Sequence, residues 1–264
     1  MVRLDRPCRR HVTKSATVRL DRLLANLGYG SRTEVKQLIA DGRVARSDGT
    51  LLTDPGRATT PERVLVDGEP LDHPGPLLVM LHKPIGYVCS HDEREGLRAY
   101  DLLPYQWLLR NPRLESIGRL DKDSTGLLLF TDDHQLVHRL TSPKHHLPKR
   151  YTVNLDTPAD AGIVARFASG DLLIDGDATP CRPAELILVE GNGAEVVMYE
   201  GRYRQVRRMF VACDRTVLTL HRTHMGPYAL GALGIGEHTV VPFSAMAEGI
   251  GTPRIGQRTP FAGQ

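Results

Sequence analysis

Asp121 is the side chain best placed to do chemistry. It lies in Ile117-Gly118-Arg119-Leu120-Asp121-Lys122-Asp123-Ser124-Thr125-Gly126-Leu127-Leu128-Leu129-Phe130, a charged loop bracketed by glycines that runs into an apolar stretch. A carboxylate on a bent loop, with core elements at each end, is held where a reacting group needs to be. The plainer reading is an N-cap or turn former, and spacing alone favours it. Two other groups could bind a ligand. His145-His146 are paired, but neighbours on a loop or strand point to opposite sides and no third ligand is in view, so no metal is expected. Cys8, Cys89, Cys181 and Cys213 are scattered without a Cys-x-x-Cys pair, which argues against zinc and suits a reducing, cytoplasmic compartment.

The elements that must hold these residues can be read from periodicity. Leu127 to Phe130 is expected as a strand buried on both faces, entered at Gly126 and left at Thr131-Asp132-Asp133. Gly118 and Gly126 permit close approaches that a side chain would block. Leu77 to Leu81 predicts an earlier strand, Gln135 to Leu140 a short helix, and Tyr151-Thr-Val-Asn-Leu a strand after the loop 141–151. In Glu200-Gly201-Arg202-Tyr203-Arg204-Gln205-Val206-Arg207-Arg208-Met209-Phe210, the apolar residues Val206, Met209 and Phe210 form one helical face and the arginines lie elsewhere around it. Nearer the N-terminus, Leu20, Leu23, Leu24 and Leu27 recur at helical spacing, and Ser31-Arg32-Thr33-Glu34 is a capping-box pattern opening a second helix. Asp48-Gly49 and Asp67-Gly68 mark hairpin turns. Asp72-His73-Pro74-Gly75-Pro76 is a linker.

The 264 residues therefore divide into a basic arm (1–16), a small module (17–76), a larger domain (77–246) and a polar tail (247–264). The overall class is α+β: two short helices and a hairpin, then a domain with a mixed or antiparallel sheet. The formal charge is only +3, but residues 1–50 carry eleven Lys/Arg against five acids, an electrostatic footprint suited to nucleic acid. Arg22, Arg32, Lys36 and Arg43 crowd the solvated side of the helical module. The longest apolar run, Leu77 to Leu81, is too short to span a bilayer, so no membrane partner is expected.

The string Gly-Arg-Leu-Asp-x-x-Ser/Thr-Thr-Gly-Leu-Leu resembles the signature loop of the pseudouridine synthases. Lys83-Pro84-x-Gly86 with Val88-Cys89-Ser90, Lys149-x-Tyr151, and Glu200 to Phe210 resemble their other motifs. Across 17–243 the resemblance is closest to the RsuA family, whose members modify small-subunit ribosomal RNA. Residues 17–76 resemble the RNA-binding module of small-subunit ribosomal protein four, most clearly at Arg19, Leu20, Ser31, Arg32, Leu38, Ile39, Gly42 and Val44. The chain departs from these patterns after Val44, and at Arg204 and Arg207, where His and Lys are common.

The resemblance implies isomerisation of a flipped-out uridine, without metal or cofactor. Asp121 would be the essential carboxylate, acting at the ribose as nucleophile or base. Tyr151 would stack on the uracil, Arg119 would fill the vacated stack, and Leu128 and Leu220 would floor the pocket. Arg207 would pair with Asp121 and hold its pKa down. Lys83, Lys149, Gln205, Arg208 and Arg222 would contact RNA in the larger domain, as would Arg19, Arg22, Ser31, Arg32, Lys36 and Arg43 in the smaller. The expected partner is ribosomal RNA or a ribosomal assembly intermediate, bound by a monomer. The alternatives are a large-subunit enzyme of the same family, or a non-catalytic assembly factor using the same surfaces.

Overall fold

The computed structural model describes residues 17–141 and 147–243. The basic arm, the Lys144-His145-His146 part of the basic loop and the polar tail lie outside the described residues. Two compact units are present, divided at Gly75/Pro76, with Leu109–Asn111 grouped with the first. Each is α+β.

In the first unit, β1 (Val18–Arg19) leads into α1 (Leu20–Asn26), whose Leu20, Leu23 and Leu24 are buried. α2 (Arg32–Ala40) starts at a complete capping box: Ser31 Oγ accepts from Glu34 N, and Glu34 Oε2 accepts from Ser31 N at 2.7 Å. Two amides that the helix leaves unbonded are thereby satisfied. β2 (Val44–Arg46), β3 (Ala58–Thr59), β4 (Val64–Val66) and β5 (Glu69–Pro70) follow, with β2-β4-β5 forming a small antiparallel sheet and β3 pairing β1. Asp67 and Gly68 both have positive φ, the backbone of a tight hairpin turn. Leu20, Leu24, Val35, Ile39, Val44, Leu52 and Val64 close one core.

The second unit is organised on a mixed sheet. Its strands are β6 (Leu78–Lys83), β7 (Glu115–Ile117), β8 (Thr125–Thr131), β9 (Lys149–Leu155), β10 (Glu185–Leu188), β11 (Gly193–Met198), β12 (Val217–Met225), β13 (Tyr228–Ala229) and β14 (His238–Val240). The order is β10-β11-β9-β12-β8-β6-β14, with β7 on β8 and β13 on β12. All these pairs are antiparallel except β12 and β8, which run parallel through His221–Thr125 and Arg222–Gly126. The short helix Tyr105–Leu108 buries Trp107; α3 (His134–Thr141), α4 (Ala161–Ser169) and α5 (Gln205–Val211) cover the sheet.

Alternation in the two central strands sorts their side chains between two cores. Leu128 and Phe130 pack with Val79, Leu81, Tyr151, Phe167 and Phe210 on one face. Leu127 and Leu129 pack with Leu78, Met80, Leu136 and Met225 on the other. Each fully buried Leu or Phe contributes roughly 1.5–3 kcal/mol, so β8, buried at six of its seven positions, is firmly anchored. Gly126, at φ 109°, lies where a Cβ would overlap the backbone of Arg222; only glycine lets β8 start this close to β12. Among the described residues no helix is long and apolar enough to cross a membrane.

Candidate active site

The loop between β7 and β8 is held almost entirely through its carbonyls. Arg222 NH1 donates to Arg119 O (3.2 Å), Gly86 N to Lys122 O (2.8 Å), Arg207 NH2 to Asp123 O (3.0 Å) and Lys83 Nζ to Ser124 O (2.7 Å). The Cys89 thiol donates to Leu120 O, and its sulfur accepts from Leu120 N, both at 3.4 Å. Within the loop, Ser124 N donates to Asp121 O at 3.1 Å. Donors from β6, the β6–β7 connection, α5 and β12 thus bond five of six consecutive carbonyls, and the loop's own Ser124 N bonds the sixth. Such a bend presents its side chains without further ordering cost.

Asp121 opens from this bend into a cavity of about 1160 Å³, lined also by Arg119, Lys149, Tyr151, Arg204, Leu220 and Arg222. The space admits a nucleotide. Tyr151, the second residue expected in the centre, is buried in the β9 register opposite Arg222 of β12 and lines the same cavity. Arg119 is exposed at the mouth. The structure brings these side chains around one space.

The electrostatics of Asp121 differ from the sequence expectation. Its pKa lies above the ordinary carboxyl value, because burial disfavours the anion more than Arg204, Arg207 and Arg119 favour it, and Asp123 adds a repulsive push. The expected direct pair between Arg207 and Asp121 is not formed. Arg207 NH2 meets Asp123 Oδ2 at 3.4 Å, and NH1 donates to Val217 O at 2.7 Å. Arg204 NH2 binds the same Asp123 oxygen at 2.6 Å. Both guanidiniums are engaged by the second carboxylate of the loop and reach Asp121 only through space.

Several expected RNA contacts are structural instead. Lys83 is fully buried on β6, donates also to Pro84 O at 2.9 Å, and burial lowers its pKa to about 8. Its ammonium holds the bend through the Ser124 and Pro84 carbonyls and is closed off from solvent. Gln205 is buried at the start of α5, accepting from Arg202 N at 2.9 Å and donating to Glu200. Arg208 is committed to Asp175 O and to Asp177, at 2.6 Å from the latter's Oδ1. Arg222 is 1% exposed and donates Nε to Leu127 O at 2.8 Å; its NH2 is buried without a hydrogen-bond partner. Lys149 is half-buried at the cavity wall, with long contacts to Leu147 O and Glu200 O, and burial lowers its pKa to about 8. Leu220 lines the cavity, whereas Leu128 belongs to the core and does not.

In the first unit Arg22, Arg32 and Lys36 are exposed on α1 and α2. Arg19 pairs with Asp21 at 2.9 Å and Arg43 with Asp67 at 2.6 Å, so each of these cations already has an anion. Ser31 is the cap of α2. Two residues at the site escaped the reading by sequence. Asp123 was visible as a second carboxylate two positions from the first. Arg204 was visible as a basic residue at the head of the helix that carries Arg207, and its left-handed backbone (φ 46°, ψ 34°) aims it at the loop.

A model of RNA pseudouridylate synthases matches residues 77–174, and an S4-domain model matches 18–59. The ribosomal small subunit pseudouridine synthase A of Escherichia coli (strain K12) is 38% identical over 84% of this chain and 95% of its own length. That of Pasteurella multocida is 35% identical over 84% and 94%. An RNA pseudouridine synthase of Bacillus subtilis is 37% identical over 84% and 93%. A crystal structure of a pseudouridylate synthase superposes with a TM-score of 0.61 at 33% identity, covering 88% of this chain and 99% of that one. With relatives this similar matched over nearly their whole length, and the loop, cavity and sheet described above, the chain belongs to the RsuA-type pseudouridine synthase family, with an S4 domain ahead of the synthase domain.

Proposed function

We propose that the chain converts a uridine of small-subunit ribosomal RNA to pseudouridine, with Asp121 as the carboxylate that acts at the ribose. The reaction breaks the N1–C1′ bond and rejoins the same base through C5. A proton leaves C5 and N1 gains one, so no atom is consumed from outside and no cofactor is required. The observation that carries this reading is the Asp121 side chain itself. It opens into a nucleotide-sized cavity with no hydrogen bond or ion pair to any described residue, on a loop whose carbonyls are tied from four sides. Binding alone has no use for a partly buried, unbonded carboxylate.

The target base has to leave its helix, at a cost of a few kcal/mol. Tyr151 offers the face on which it stacks, and Arg119, exposed at the mouth, fills the gap. The S4 domain supplies phosphate contacts that position the RNA. The small-subunit assignment rests on the names of the Escherichia and Pasteurella relatives.

Pseudouridine mapping in ribosomal RNA from cells lacking the protein tests it. One small-subunit site should be lost, restored by the wild-type chain and not by Asp121→Ala, while purified Asp121→Ala keeps RNA affinity within a few fold. A lost site in large-subunit RNA would overturn the substrate. Restoration by Asp121→Ala would overturn the role of the carboxylate.

A further inference from the structure

The second carboxylate of the loop has no part in the chemistry just described, yet it pairs with two arginines at the site. Asp123 Oδ2 is shared by Arg204 NH2 at 2.6 Å and Arg207 NH2 at 3.4 Å, and the Asp123 carbonyl accepts from Arg207 as well. The arrangement carries local costs. Asp123 Oδ1 and Arg207 Nε are buried without hydrogen-bond partners, and Arg204 sits in the left-handed region that non-glycine residues avoid. Unsatisfied buried atoms and a strained backbone each carry a cost. They persist here two residues from Asp121, which has no partner of its own.

We propose that Asp123 is a positioning residue that draws Arg204 and Arg207 onto itself and so leaves the oxygens of Asp121 unbonded and free to act at the ribose. A carboxylate gripped by a guanidinium fork is stabilised and blunted, both as a nucleophile and as a base. One held near the same two cations, but not by them, keeps its reactivity and still feels their field. The charged groups acting on Asp121 are Arg119 and Asp123 from its own loop, Lys83 from β6, and Arg204 and Arg207 from the start of α5. Of these Asp123 is the anion, and it alone bonds both arginines.

The inference rests on Asp121 being the catalytic carboxylate, and the experiment separates the two. Single-turnover pseudouridine formation is followed against pH for the wild type, Asp123→Asn, Asp123→Glu, Arg204→Gln and Asp121→Ala. Activity needs ionised Asp121, so the rate falls as pH drops through its pKa. Removing the negative charge of Asp123 lowers that pKa and releases the arginines onto Asp121. The acid limb of Asp123→Asn should therefore move down by about one pH unit while the plateau rate falls several-fold. Asp123→Glu should keep the wild-type limb, and Arg204→Gln should move it up. A merely structural loss would lower the plateau without moving the limb. An Asp123→Asn limb at the wild-type position, or an undiminished plateau, overturns the proposal. If Asp123→Asn does not fold, Asp123→Ser repeats the test with the same two outcomes. Activity retained by Asp121→Ala would instead overturn the catalytic role itself.

Discussion

Lys83 and Asp121 carry opposite charges into the same shell, and burial pushes both toward neutrality. The lysine is lowered to about 8 and the carboxyl is raised above its ordinary value. A buried ammonium is tolerated only where its donors are used, and Lys83 gives two of them to Ser124 O and Pro84 O. Its role is therefore tested by stability and rate together, not by RNA affinity. Lys83→Met keeps the volume but leaves two carbonyls unbonded, which should cost about 1–3 kcal/mol in denaturant unfolding. Because the Ser124 end of the bend loses its anchor, the single-turnover rate should fall too. The slope of RNA affinity against salt should stay at the wild-type value. A reduced slope would return Lys83 to the phosphate contacts that its position in the sequence suggested.

At the scale of elements the parallel contact between β8 and β12 fixes the geometry of the centre. Gly126 enters β8 at φ 109° against the backbone of Arg222, and Arg222 in turn reaches back to Leu127 O and Arg119 O. Gly126→Ala places a methyl group where backbone atoms already lie, and imposes a φ that alanine resists. Neither neighbour can give way, since both strands are central to the sheet. The second unit of this variant should melt well below the wild type, or fail to fold, in a thermal scan followed by circular dichroism. A melting curve like the wild type's would show that the two strands can separate at that point.

What could be read in advance divides along the same line. The β8 strand, the capping box at Ser31 and the apolar face of α5 rest on local spacing, and all three are present. The Asp123 pairs with Arg204 and Arg207 join residues about eighty positions apart, and the Lys83 bond to Ser124 spans forty-one. No periodicity encodes such distances. Burial of Lys83, Gln205 and Arg222 was illegible for a related reason: a polar residue in a motif reads as a ligand contact until the carbonyl that satisfies it is seen. The depressed pKa expected of Asp121 failed first because burial raises it, and spacing does not reveal burial, and second because Arg204 and Arg207 bond Asp123 and act on Asp121 only through space.

Charge is distributed unevenly over the whole chain. Residues 1–50 hold an excess of positive charge larger than the chain's total of +3, so the remainder is net acidic. Attraction to an RNA backbone therefore belongs mainly to the first stretch, and an acidic remainder needs that attraction to bring a polyanion to its cavity. Within the described part of that stretch the cations are not equivalent. Arg19 and Arg43 are neutralised by Asp21 and Asp67, and releasing either for a phosphate means breaking an existing pair. Arg22, Arg32 and Lys36 are exposed on the two helices, with no ion pair to any described residue. Each phosphate neutralised by such a cation adds roughly 0.7–0.9 to the slope of log affinity against log salt. Replacing Arg22, Arg32 and Lys36 together by glutamine should thus flatten the slope by about two, measured by filter binding to ribosomal RNA over a range of potassium chloride. The pair Arg19→Gln with Arg43→Gln should flatten it less, because the freed carboxylates offset what is lost. Equal effects from both sets would mean that the ion pairs open on binding, and an unchanged slope in the triple variant would remove these helices from the RNA-facing surface.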